Sequence, residues 1–135
     1  MSRTRHNINC AKKILFYIRN NDDTIEKMYF SILSFIKKER KTINCRFKNN
    51  YENKCIRIVN ELVSGRNKCL EKTMLLHFLL FLNGIGSTIK IGISRYPVIS
   101  HSWVEIDGKL INENTVWHHN FIVIKEYILL GDKDV

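Results

Sequence analysis

The chain has 135 residues and a net charge of +9, from 22 Lys and Arg against 13 Asp and Glu. One proline and no Pro/Gly/Ser-rich stretch exclude a linker-joined or low-complexity protein, and this length buries a core without staples, so a single domain over residues 1–135 is expected. The longest apolar run, Thr73 to Leu82, is interrupted by His77 and falls short of the about 20 residues a membrane span needs, while Ile14 to Ile18 is too short for a signal peptide, so a cytoplasmic protein with no membrane partner is expected.

The charge is uneven. Residues 1–68 hold 16 Lys and Arg against 6 Asp and Glu, and residues 69–135 hold 6 against 7. The chain thus divides into a basic part, 1–68, and a near-neutral core, 69–135. In chain order, a short helix is expected over Ala11 to Arg19. A second covers residues 24–43, where Ile25, Met28, Ile32, Phe35 and Ile36 recur at helical spacing and Asp22, Asp23 or Thr24 can cap the start. A third covers residues 52–63, with Cys55, Ile58, Val59 and Leu62 as its stripe and Ser64-Gly65 as its stop.

CLEKTMLLHFLLFLNGIG, residues 69–86, is apolar nearly all round, as a helix buried in the domain centre must be, and Asn83-Gly84 ends it. Composition then turns β-rich. Ile89, Ile91 and Ile93 alternate, Asp107-Gly108 is a hairpin turn, and residues 121–129 read as a further strand. Helices followed by an antiparallel sheet make the class α+β.

Of the four cysteines, Cys10, Cys45, Cys55 and Cys69, no two form a CxxC pair or match a zinc ribbon, so reduced thiols and no metal or cofactor are expected. Cys10, Cys45 and Cys55 read as small buried hydrophobes. Cys69 differs because it opens the buried helix, where free N–H groups and the dipole favour a thiolate and can hold an oxyanion. His101 is the candidate base. Trp103 and Glu105 share its strand face, so Trp103 can wall the site, while Glu105 lies about 13 Å along the strand, too far to orient the imidazole.

The hairpin register selects the residue that orients His101. A two-residue Asp107-Gly108 turn pairs Ile106 with Lys109 and sets Asn114 opposite His101. A bulged turn pairs Glu105 with Lys109 and sets Glu113 opposite His101, at a Cβ separation of about 5 Å. The bulged register is preferred because it completes a Cys69-His101-Glu113 triad, with Asn114 as the alternative third member.

The segment from Lys68 to Asn114 resembles the core of the transglutaminase-like leader peptidases of lasso-peptide biosynthesis. Cys-Leu opens a long apolar helix that closes on Leu-Asn-Gly-Ile; a strand ends in Ile-Gly-Ile; His-Ser-Trp-Val-Glu and Asp-Gly follow. The resemblance implies a transglutaminase/papain-like core. It also implies a cysteine peptidase that cuts the leader from a ribosomally made precursor. The family usually has an aspartate where Glu113 stands. With 68 residues before Cys69, the chain resembles the stand-alone peptidase subunit of the lasso peptide B protein family. The implied partners are the leader region of the precursor, a separate leader-recognition protein and an ATP-dependent cyclase.

Other histidines carry less. His77 is a core or interface residue; His118 and His119, beside Trp117, lack further ligands for a metal; His6 sits in the basic tail. The rival functions are a basic nucleic-acid- or peptide-binding module, suggested by Lys37, Lys38, Arg40, Lys41, Arg46, Lys48, Lys54 and Arg57, and an acyl transferase on the same Cys-His site. Nucleic acid is not the expected partner, because Tyr29, Phe30 and Phe35 fall at core spacing and no nucleic-acid motif is present.

Overall fold

The computed structural model describes residues 2–40, 51–65, 68–95, 98–112 and 121–131. Four helices precede a four-stranded antiparallel sheet: α1 (Arg3–Arg19), α2 (Ile25–Arg40), α3 (Tyr51–Leu62), α4 (Cys69–Leu82), β1 (Ser87–Ser94), β2 (Ile99–Ile106), β3 (Lys109–Ile111) and β4 (Ile122–Leu129), with sheet order β3-β2-β1-β4. The fold is α+β.

α4 is the hub. Every residue from Thr73 to Leu82 is buried. α1, α2 and α3 pack on it, and so do β1 and β2 of the sheet. A helix surrounded in this way cannot keep a polar face, which is why its sequence is apolar all round. It closes as expected at Asn83-Gly84: Gly84 takes φ +80°, Gly84 N–H donates to Phe81 C=O, and Ile85 N–H donates to Leu80 C=O, so the last carbonyls are satisfied.

Two expectations change in detail. α1 begins at Arg3 rather than Ala11, capped by Ser2, whose Oγ accepts from Arg5 N–H. Its first turns lack an apolar period because the core-facing residue there is Asn7, which is fully buried and exchanges hydrogen bonds with Asn83 at 2.8 and 3.3 Å. On α2, Tyr29 is in the core but Phe30 is 56% exposed and meets Tyr29 edge-on. Thr24 is the α2 cap, accepting from Lys27 N–H.

The β2–β3 hairpin corrects the preferred register. Ile106 pairs with Lys109, Glu105 with Leu110 and Val104 with Ile111. Asp107 and Gly108 have φ +50° and +78°, so the turn is a two-residue one with both central residues left-handed, and no bulge is inserted. Such a turn follows the strand twist, and Asp-Gly tolerates its φ values. Asn112, the residue after β3, is also left-handed at φ +59°.

Candidate active site

Each candidate residue takes its place from a local cause. Cys69 is the first residue of α4. Lys68 is the N-cap, and its side chain makes no capping hydrogen bond to the helix start. The end of α1 clamps this turn: the Arg19 guanidinium donates to both carboxylate oxygens of Glu71, at 3.1 and 3.4 Å. Glu71 is 14% exposed at its side chain, and its charge is thereby tied to a cation rather than left beside Cys69.

β2 delivers His101. On its helix-facing side Ser102 Oγ donates to Thr73 Oγ1 of α4 at 3.2 Å, locking strand to helix. On the other side the His101 ring lies 6.0 Å from Trp103, nearly parallel, and 5.5 Å from Phe121. Trp103 is itself fixed. Its Nε1–H donates to Glu105 at 2.8 Å, and Glu105 pairs with Lys90 at 3.2 Å. Glu105 therefore holds the wall beside His101.

Cys69 and His101 line one pocket of about 470 Å³, with Ile25, Leu70, Ile91, Ile99, Ser100 and Ser102. Four consecutive residues of β2 contribute to it. In a pleated strand, neighbours point to opposite faces, so a pocket touching all four runs along the strand edge. Among the described residues β3 pairs with residues 104–106 of β2. The pocket lies where the start of α4 and the His101 segment of β2 meet. Ile25, expected in the core stripe, is 40% exposed and serves as pocket wall. No sequence signal separates that role from packing.

The remaining thiols are differently placed. Cys55 is fully buried and its thiol is pushed up to about 12, first by burial; Cys10 is pushed up to about 11 for the same leading reason. Neither supplies a thiolate near neutral pH. Glu113, Asn114, Trp117, His118, His119 and Cys45 lie outside the described residues. The pairing of Ile106 with Lys109 removes the register argument that preferred Glu113 over Asn114.

Gly92 faces His101 across the β1–β2 ladder, beside a register shift in the β1–β4 pairing. A Cβ there would stand 3.1 Å from Trp103 Cη2 and from Phe121 Cβ, and 3.2 Å from Ile122 O. These are two of the rings that flank His101. Gly92→Ala is therefore expected to displace the rings by tenths of an ångström and lower kcat/KM by tens of fold. Its melting temperature should fall by only a few degrees. Parallel kinetics and thermal melts check this; unchanged kinetics would remove the aromatic wall from the site.

The family model of the transglutaminase-like superfamily matches residues 50–126, more than half of the chain, and its span contains both Cys69 and His101. No curated protein and no solved structure gives a significant match. Among the described residues, no helix is long and apolar enough to cross a membrane.

Proposed function

This chain belongs to the transglutaminase-like superfamily, and on that premise we propose that it is a cysteine peptidase that removes the leader from a lasso-peptide precursor through a thioester acyl-enzyme. The observation that carries the reading is the shared pocket of Cys69, at the start of the buried helix, and His101, on the strand edge.

In this reading His101 takes the Cys69 proton and the thiolate attacks the scissile carbonyl. N–H groups of the first turn of α4 hold the oxyanion. His101 returns the proton to the leaving amine, which is the new N-terminus of the core peptide. The leader stays joined to Cys69 as a thioester until water, activated by His101, releases it. Glu113 or Asn114 orients His101. The pocket lies along a strand edge with apolar walls from Ile25, Leu70, Ile91 and Ile99, a shape that suits an extended peptide.

The partners of the proposal are a cytoplasmic leader-recognition protein and an ATP-dependent cyclase that receives the freed core. The test follows masses of a candidate precursor incubated with the chain, with and without the recognition protein. A cut that is faster with the partner and absent in Cys69→Ala supports the whole reading. Attachment of the leader to an added amine, in place of hydrolysis, would assign acyl transfer. No cut in any mixture, with tight salt-sensitive binding to nucleic acid, would replace the enzyme by a basic binding module.

A further inference from the structure

α1 and α2 are joined by a short turn, and the far, open end of this helical hairpin holds a cluster that takes no part in the pocket. His6 and Cys10 stand one turn apart on the inner side of α1, and Glu39 reaches them from the last turns of α2. His6 Nε2 lies 3.6 Å from Cys10 Sγ and 3.3 Å from Glu39 Oε2, and one ligand atom from each residue falls within 4.8 Å of the others.

These separations are those of a tetrahedral metal site. Zn–S bonds of about 2.3 Å and Zn–N or Zn–O bonds of about 2.0–2.1 Å set tetrahedral neighbours about 3.5 Å apart for an N,S pair and about 3.3 Å for an N,O pair. The His6–Cys10 and His6–Glu39 edges match these values, and the Cys10–Glu39 edge is no longer than 4.8 Å. The ligand types are also those that zinc prefers, a nitrogen, a sulfur and a carboxylate oxygen. In a chain of net charge +9, a dication needs local anions. The Cys10 thiolate and the Glu39 carboxylate supply two, so the loaded site is neutral. Cys10 is 2% exposed, while the side chains of His6 and Glu39 are 23% and 27% exposed. The His6 and Glu39 side of the cluster therefore faces solvent.

We propose that His6, Cys10 and Glu39 bind a thiophilic divalent cation of the zinc type, which clasps the open end of the α1–α2 hairpin. Binding releases the Cys10 proton, and no redox change is involved. The clasp acts on the pocket only at a distance: the other end of α1 carries Arg19, which holds Glu71 at the start of α4.

The experiment titrates the reduced full-length chain with Co2+ alone, follows the thiolate-to-cobalt charge-transfer absorption and the tetrahedral visible bands, and then displaces Co2+ with Zn2+. One equivalent is expected to bind, and Zn2+ is expected to raise the melting temperature. Cys69→Ser should leave the spectrum unchanged and Cys10→Ser should abolish the charge transfer. His6→Gln should weaken binding by more than about 100-fold, beyond the cost of a change outside the ligand shell. Should Cys10→Ser not fold, the partly exposed His6→Gln and Glu39→Gln carry the test. The proposal is overturned by no charge-transfer band in the wild type, by a band that survives Cys10→Ser or disappears in Cys69→Ser, or by full affinity in both partly exposed variants.

Discussion

Cys69→Ala is expected to lower precursor cleavage by at least about 10⁴-fold, the scale seen when a nucleophile that acts as one unit with its base is removed. His101→Ala should cost a similar factor, and the double variant little more, because both residues serve one step. Neither should unfold the protein. Cys69 and His101 are only partly buried, at a helix start and at a strand edge. Cys55→Ala makes the opposite prediction. That thiol is fully buried among core residues, so its loss lowers stability by about 1–2 kcal/mol and spares the chemistry. A thiol reagent adds a direct test. Burial holds Cys10 and Cys55 at about 11 and 12, so at neutral pH the alkylating agent should mark Cys69 and leave those two untouched, as peptide mapping would show. Cleavage that persists after Cys69 alone has been alkylated would end the cysteine mechanism.

The third member of the site is decided by the same assay. Glu113→Ala and Asn114→Ala each remove one candidate. The variant that loses about 10² to 10⁴-fold, with its melting temperature kept, identifies the residue that orients His101. Glu113 stands opposite His101 only in the bulged hairpin register, and a register is settled by turn geometry that sequence leaves balanced. Asp107-Gly108 satisfies a two-residue turn and a bulged turn alike. The structure takes the former, with Ile106 opposite Lys109.

Elsewhere the sequence was a good guide wherever burial leaves a period. The α3 stripe of Cys55, Ile58 and Val59 and the all-round apolar α4 appear as read, whereas in β1 the alternation holds only at its start: Ile89 is buried, Ile91 half-buried and Ile93 exposed, across a register shift between Ile91 and Gly92. It failed where a polar group does core work. Asn7 is fully buried and paired with Asn83, so the first turns of α1 show no apolar rhythm and went unseen. His6 looked like part of a basic tail, because its spacing to Cys10 carries meaning only once a helix runs through both and Glu39 arrives from a second helix. The pocket was legible in its two reactive residues. Its walls were not, since a pocket-lining isoleucine such as Ile25 has the same pattern as a core one.

The second large effect concerns acid stability. His77 has no exposed surface, and its ring bridges three elements: Nε2 lies 2.7 Å from Tyr29 Oη of α2, and Nδ1 lies 2.8 Å from Ser87 Oγ of β1. A neutral imidazole satisfies this arrangement, one nitrogen donating and the other accepting. Protonation turns both nitrogens into donors and places a charge in the core beside Phe78 and Tyr29. Burial accordingly holds the ring down at about 3, against 6.5 for an ordinary histidine. The folded state thus refuses a proton that the unfolded chain accepts. The stability this neutral ring contributes is fully present above pH 6.5 and is lost as pH falls toward 3, at about 1.4 kcal/mol per pH unit. His77→Gln isolates the effect, because the other histidines and the carboxylates titrate in both proteins. At pH 7.5 the variant should be less stable by about 1–3 kcal/mol, for lost packing and hydrogen bonds. The gap should close as pH falls and vanish near pH 5, as seen in denaturant unfolding at each pH. A gap that stays constant from pH 7.5 to 5 would mean that His77 accepts its proton in the folded chain. The same helix begins with Cys69, so activity lost on acidification and regained at neutral pH should follow the unfolding of α4 in the wild type and shift to lower pH, relative to its own neutral value, in the variant.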